Sequence, residues 1–355
     1  MEDSWNLLAL NSTEGMGSLE GWMLVKDGTG PDGWSMDLFQ GTEFMVYKKE
    51  GKVIYLSTRK MSDSDRTSTL PSLDALKDSL LVLDLHKSRY LQELDVSICN
   101  LTNLTHLLLT RCSNLKALPD SFGNLRNLTE LNLFDSPQIS ELPRSIGALR
   151  SLKKLTFGGS SGVCNKVLKS LPESLGDLEN LEELVLDKCK KLQSLPNSLG
   201  NLKSLKYLFM RECKSITCLP ETIGGCHQLI EVSLAKCVAL ETLPLSIGEW
   251  KRLEDFSLNK CKSLQSLPDT LGDCTMLAIL DLGNCESLTT LPSTIGQLTS
   301  LRSLHLGSCT NLTSIPASIG DLTKVELLDI RKCKSLETIP KALLKFPTIT
   351  LEDDE

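Results

Sequence analysis

From Leu181 onward, apolar residues return in the same order every 24 positions. The segment LEELVLDKCKKLQSLPNSLGNLKS is followed in register by LKYLFMRECKSITCLPETIGGCHQ and LIEVSLAKCVALETLPLSIGEWKR, and units opening at Leu253, Leu277 and Leu301 keep the frame. In the first of these, the apolar places are Leu181, Leu184, Leu186, Leu192, Leu195, Leu199 and Leu202, with Pro196 and Gly200 between them. Leu184 and Leu186 alternate with period two, which predicts a short strand with both side chains facing inward. Pro196 cannot continue a ladder and fixes its own φ, so the chain turns there. The Ser-Leu-Gly stretch that follows predicts a short helical or 3₁₀ turn on the return leg, with Gly200 closing it.

One strand and one return cannot bury an apolar face alone, so neighbouring units must stack with their strands in a parallel sheet. Extending the frame gives eleven units, opening at Leu80, Leu104, Leu128, Leu152, Leu181, Leu205, Leu229, Leu253, Leu277, Leu301 and Val325. The expected organisation is a β-rich cap and linker over 1–79, a repeat array over 80–346 and an acidic tail over 347–355. The first unit is degenerate, with Asp95 and Cys99 where Pro and Gly are expected, and the last is atypical; a finite stack requires such ends. In the first segment, Met45 to Leu56 reads as a hairpin. Val53 to Ser57 reads either as part of a cap or as a degenerate repeat strand, and Trp5, Trp22 and Trp34 set this part apart from the repeats.

Composition narrows the function. Hydrophobic residues are 41% and charged residues 23%, a globular balance, and aromatics at 5% leave an aliphatic core. A formal net charge of −7 argues against a nucleic-acid partner, which requires clustered cations. No apolar run is long enough to insert in a membrane, and the start of the chain has no secretory pattern, so a cytoplasmic location is expected. On that expectation the sequons at Asn11, Asn100, Asn103, Asn127 and Asn311 are silent.

The pattern LxxLxLxxCxxLxxLPx[ST]IGxLxxL, as in LAILDLGNCESLTTLPSTIGQLTSL from Leu277, resembles the repeats of plant intracellular disease-resistance receptors. Extracellular plant receptor repeats carry Gly before the Ile-Pro step, where this chain has Ser194, Cys218 and Thr242. The resemblance implies an α/β leucine-rich-repeat solenoid, with a curved parallel concave sheet, that recognises proteins in defence or signalling. It does not extend to a nucleotide switch: no GxxxxGK[ST] loop is present, and Gly51-Lys52-Val53 lacks both the upstream glycine and the hydroxyl. The chain thus resembles a stand-alone repeat protein or the sensor part of a receptor. An adaptor for ubiquitination or a small-GTPase pathway is the alternative, and an enzyme in the first segment is disfavoured because it has no His before His86 and no Cys before Cys99.

Eight of the thirteen cysteines stand eight residues after a unit's first position: Cys112, Cys189, Cys213, Cys237, Cys261, Cys285, Cys309 and Cys333. Ser88, Ser136 and Ser160 take the same place elsewhere. Serine preserves hydrogen bonding and abolishes thiolate ligation, so the column reads as a structural ladder that satisfies loop carbonyls, against the alternatives of a metal array or stacked disulfides. Cys226-His227 and Cys274 lie in return legs without zinc spacing. No cofactor, metal or catalytic group is expected.

Positions two, four and six after each start face out from the concave sheet. The second position carries Glu130, Glu183, Tyr207, Glu231 and Asp255; the seventh, at the trailing rim, carries Arg111, Lys188, Lys236, Lys260 and Lys332. An acidic leading side and a basic rim, suited to orienting a charged partner, are therefore expected. The unit from Leu152 is five residues longer than its fellows, with the excess placed at Ser161 to Asn165. Phe134, Lys188, Tyr207, Phe209 and Arg211, flanked by Lys236 and Lys260, form the candidate protein-binding hot spot, with a purely structural covering role for the aromatics as the alternative. Trp250 takes a leucine place and is expected in the core.

Overall fold

A computed structural model describes residues 72–159 and 163–337, three strands before them, and residues 340, 341, 343, 346 and 348–350 near the carboxy end. Trp5, Trp22 and Trp34, Ser160 to Gly162 and residues 351–355 lie outside the described residues. The strands are β1 Met23–Val25, β2 Met45–Lys49, β3 Lys52–Ser57, β4 Val82–Asp84, β5 His106–Leu108, β6 Glu130–Asn132, β7 Lys154–Phe157 and β8 Glu183–Leu186. They continue as β9 Tyr207–Phe209, β10 Glu231–Ser233, β11 Asp255–Ser257, β12 Ile279–Asp281, β13 Ser303–His305, β14 Leu327–Asp329 and β15 Ile349–Thr350. All fifteen join one sheet in strict chain order. The fold is a leucine-rich-repeat solenoid.

The hairpin expected from Met45 to Leu56 is β2 and β3, paired antiparallel. β3 then pairs in parallel with β4, Tyr55 opposite Val82, so it opens the solenoid sheet itself, and the Tyr55 hydroxyl donates to Asp84 at 3.1 Å. At the other end β15, inside the segment read as a tail, pairs in parallel with β14. The parallel sheet therefore runs one strand beyond the eleven units on each side.

The period-two alternation produces the expected file. Leu184, Leu208, Val232 and Phe256 are successive register partners with no exposed surface. After β4 to β6 and β8 to β14 the chain turns through a residue with positive φ, between 58° and 64°, at the seventh position: Lys87, Arg111, Asp135, Lys188, Glu212, Lys236, Lys260, Asn284, Ser308 and Lys332. Glycine or asparagine would be the usual choice for this left-handed conformation, and here mostly charged residues hold it. Each turn gains a bond in return: Lys236 N–H donates to Asn259 O at 2.6 Å and Lys260 N–H to Gly283 O at 2.7 Å, extending the ladder between units.

The return legs are 3₁₀ turns such as Asn197–Asn201 and Glu221–Gly225, each entered from a proline in extended conformation. Gly200 does not close its turn by adopting positive φ, as the sequence pattern suggested; among the described residues the only positive-φ glycine is Gly158. Its role is close approach. A Cβ on Gly200 would lie 1.9 Å from the Thr222 carbonyl oxygen of the next unit.

The cysteine column is a hydrogen-bond ladder. The thiols of Cys213, Cys237, Cys261, Cys309 and Cys333 each donate to a carbonyl 27 residues earlier at 3.1 Å. Cys112 and Cys285 do the same at 3.3 and 3.2 Å, and Ser136 substitutes at 2.6 Å to Leu109 O. In the enlarged Leu152 unit, Asn165 pins the loop by donating to Ile139 O at 2.8 Å and accepting from the N–H groups of Val167 and Leu168. All thirteen cysteines are free thiols. Burial holds Cys189, Cys237 and Cys309 up at about 12, so they are thiols rather than nucleophilic thiolates at neutral pH. Cys218 is the exposed exception. With an aromatic disulfide reagent on the native chain, Cys218 is expected to react rapidly and the ladder only as the chain unfolds; rapid labelling of several ladder thiols would contradict this account.

Candidate functional site

On β9 the two outward side chains and the residue that follows them form one row across the concave face. The Tyr207 and Phe209 rings stack with centroids 6.4 Å apart and planes 13° from parallel, and the Arg211 guanidinium lies 5.8 Å from the Phe209 centroid. Alternation explains the row: Leu208 and Met210 point into the core, so Tyr207, Phe209 and Arg211 must face outward. Arg211 is held by Asp187, one unit earlier. Its Nε donates to Oδ2 at 2.7 Å, its Nη2 to the same oxygen at 2.5 Å, and its backbone N–H to Oδ1 at 2.7 Å. Asp187 is buried and Arg211 largely exposed, so the pair fixes the guanidinium while leaving its outer edge accessible.

Lys188 touches this row through the backbone, donating its N–H to Arg211 O at 2.6 Å. Phe134 does not join it. It follows β6, three strands away, roughly 14 Å at ordinary strand spacing. The candidate residues thus separate into a compact group, Tyr207, Phe209, Arg211 and Lys188, and an outlying Phe134. Lys236 and Lys260 lie on the rim beyond β10 and β11, both exposed.

The rim is less basic than its residue types indicate, because carboxylates one unit away neutralise it. Arg111 pairs with Asp135 at 3.3 Å, Lys236 with Glu212 at 3.3 Å and Lys262 with Glu286 at 2.6 Å. On the leading side Lys206 pairs with Glu182 at 2.6 Å and Lys154 with Glu183 at 3.7 Å. Glu231 and Asp255 have no such counter-ion among the described residues. Burial, followed by the Asp255 charge, lifts the Glu231 carboxyl above its ordinary value; burial, followed by Asp281, does the same for Asp255.

A second concavity lies toward the carboxy end, a polar cavity of about 300 Å³ lined by Asn259, Asp281, His305, Asp329 and Arg331 among others. Its cause is two glycines, Gly283 and Gly307, at the sixth position of consecutive units, where other units carry side chains such as Arg211 and Asn259. The repeated glycine at an outward-facing place was the available sequence signal for it. Asp329 binds Arg331 through two contacts of 3.0 Å, and Ser303 Oγ lies 2.9 Å from His305 Nε2. The Ser303–His305 contact joins residues of one strand, and among the described residues no carboxylate hydrogen-bonds the ring, although Asp281 and Asp329 are its register partners, so it is a surface hydrogen bond. Among the described residues no three His, Cys, Asp or Glu side chains gather as metal ligands, and no helix is long and apolar enough to cross a membrane.

Comparison with known proteins agrees on the repeat. The sequence profile of a leucine-rich repeat region matches residues 55–194, less than half of the chain. No curated protein matches significantly. Among solved structures, the chain is similar to a leucine-rich-repeat protein of Leptospira interrogans, with 25% identity over 80% of this chain and 81% of that one and a TM-score of 0.44. It is similar to an internalin of Listeria monocytogenes, 18% identical over 73% and 83% of the two chains with a TM-score of 0.42. It is also similar to the Arabidopsis receptor kinase HAESA, solved with the peptide hormone IDA and the co-receptor SERK1, 20% identical over 98% of this chain and 65% of that one with a TM-score of 0.48.

Proposed function

We propose that the chain is a non-catalytic protein-recognition scaffold whose partner docks on the concave sheet, centred on Tyr207, Phe209 and Arg211 with Lys188, Lys236 and Lys260 at the rim. The observation that carries this reading is the row on β9. Two stacked rings and a tethered guanidinium are large, pre-ordered groups that lose little side-chain entropy on contact, and such residues dominate the energy of protein interfaces. The working setting is the cytoplasm, in defence or signalling, as the repeat pattern's resemblance to plant intracellular receptors implies. The thiol ladder supports a reducing compartment, since seven of its eight cysteines donate their S–H to a carbonyl.

The test is quantitative capture from a cell extract with the intact chain and with a Tyr207→Ala/Phe209→Ala variant. Two anchors worth about 2 kcal/mol each predict a loss approaching roughly 1,000-fold in apparent affinity for the specific partner. Both side chains leave the core untouched, so the variant should melt like the parent. Undiminished capture by the variant would remove the concave row from the interface and this reading with it.

A further inference from the structure

Immediately beside the aromatic row, Glu231 and Asp255 are register partners on β10 and β11, with Cα atoms about 4.8 Å apart. Two carboxylates side by side repel each other, and a protein with no use for the pair would gain by losing one. Neither has a hydrogen-bond or ion-pair partner among the described residues. The basic groups that act on the pair are Arg211, which is committed to Asp187, and His305, two strands from Asp255. Glu183 is answered by Lys154, and Asp281 adds a further negative charge on the far side of Asp255.

A second observation, independent of charge, falls at the same place. Ser233 is 7% exposed, its side chain alternates with the core-facing Val232 and Leu234, and its hydroxyl has no partner among the described residues. The little surface that Ser233 keeps includes its hydroxyl and opens onto the concave face, where a docked group can reach it. Around it stand Phe209 and Ser257 as its strand neighbours, with Tyr207 the register partner of Glu231. At the other end of the leading column Ile279, 39% exposed, is the register partner of Asp255. The column therefore reads aromatic, acid, acid, aliphatic, with an unanswered hydroxyl in the floor beside it.

We propose that Glu231 and Asp255, with Ser233 beneath and the Tyr207 ring alongside, receive one basic side chain of the protein partner, arginine in preference to lysine. This rests on the concave-face reading and adds the chemistry of what docks there. A guanidinium spreads its charge and its donors over a plane, so it can span two carboxylates on adjacent strands, donate toward a hydroxyl and lie against an aromatic face. A divalent ion is less well served, because the described residues supply no third His, Cys, Asp or Glu ligand at this place. The raised carboxyl values fit the same account: a pair held out of its preferred charge state is relieved when a cation arrives.

The experiment uses the full chain, isotopically labelled, and needs no partner protein, so its outcome is separate from that of the capture assay. Nα-acetyl-arginine N-methylamide and its neutral citrulline counterpart are titrated in turn while the amide resonances of Glu231, Ser233 and Asp255 are followed by NMR. The arginine probe is expected to shift these amides with a Kd at least about tenfold below that of the citrulline probe, the equivalent of about 1.4 kcal/mol. Glu231→Gln/Asp255→Asn is expected to abolish the difference while leaving Tm equal or slightly raised, since it removes a repulsion. Equal affinity for the two probes, or arginine binding that survives the double substitution, overturns the proposal. So does calcium chloride alone reproducing the shifts at lower concentration than the arginine probe, which would make the pair a metal site.

Discussion

Gly200→Ala is expected to destabilise the solenoid by about 3 kcal/mol, although the substitution adds one methyl group to a residue with ordinary backbone angles. The added carbon would sit 1.9 Å from Thr222 O and 2.7 Å from Thr222 C, both backbone atoms of the next unit's return leg. Neither can swing away as a side chain would. The two legs must part, and the leucines beneath them, Leu199 and Leu202, lose contact with Ile223 and its neighbours. In a stack held by nearest-neighbour interfaces, opening one interface weakens the array at that point without a compensating contact elsewhere. Gly283→Ala supplies the control. Its nearest clash is the Asn259 Nδ2, at 2.8 Å, the end of a side chain on the concave surface, and a small rotation relieves it, so the cost should stay below about 1 kcal/mol. Urea unfolding followed by circular dichroism separates the two cases. Coincident midpoints for the two variants would show that the return-leg glycines are not there for close approach.

The same glycine shows what the sequence could and could not convey. The repeat registers that a small residue is required after each Ser-Ile or Ser-Leu pair, but two physical reasons give the same letter: positive φ and lack of room for a Cβ. Only the three-dimensional stack separates them. The strand file from Leu184 to Phe256 was legible because alternation has one physical meaning in a half-buried strand. The cysteine ladder was legible because serine replaces cysteine in it, which discriminates a donor from a ligand. The left-handed column was not, since Lys87, Glu212, Asn284 and Ser308 share no side-chain property; tertiary bonds from the backbone of one unit to the next impose that conformation. The charge of the rim was half legible. Residue types gave the cations, whereas their neutralisation depends on which carboxylate stands 24 residues away, as Glu212 does for Lys236.

For the candidate site the balance is similar. Period-two alternation placed Tyr207, Phe209 and Arg211 on the concave face, and the structure adds that Asp187 fixes the guanidinium. Phe134 was grouped with them by composition, but nearness along a repeat chain translates into one strand spacing per unit, and three spacings separate it from β9. The carboxylate pair at Glu231 and Asp255 was visible as part of an acidic column; that it forms no ion pair among the described residues while Glu182 and Glu183 do needed the positions of Lys206 and Lys154.

Trp250→Ala is expected to cost about 4 kcal/mol, in the range for emptying a buried aromatic site. Trp250 has no exposed surface, meets Phe256 edge to face at 5.8 Å between centroids, and donates its Nε1–H to Ile223 O of the preceding unit at 3.1 Å. Leu202 and Leu298 occupy the same place in other units, which makes Trp250→Leu the milder replacement and raises the question of how the stack accommodates the larger ring. The units on either side answer it: the places equivalent to Trp250 are Cys226 and Cys274, both smaller than leucine, and Val232 is the small register partner of Phe256. Both thiols also copy the indole's bond, Cys226 to Leu199 O at 3.2 Å and Cys274 to Ile247 O at 3.3 Å, so the three residues form a second donor ladder along the return legs. Bulk in one unit is thus offset by space in its two neighbours. The consequence is measurable coupling: Cys226→Leu and Cys274→Leu should each destabilise the parent by overpacking, yet in a Trp250→Leu background they should restore at least about 1 kcal/mol between them. Strict additivity across this set of variants would mean that the three side chains do not share one volume, and that the alternation of small and large along the column is without energetic effect.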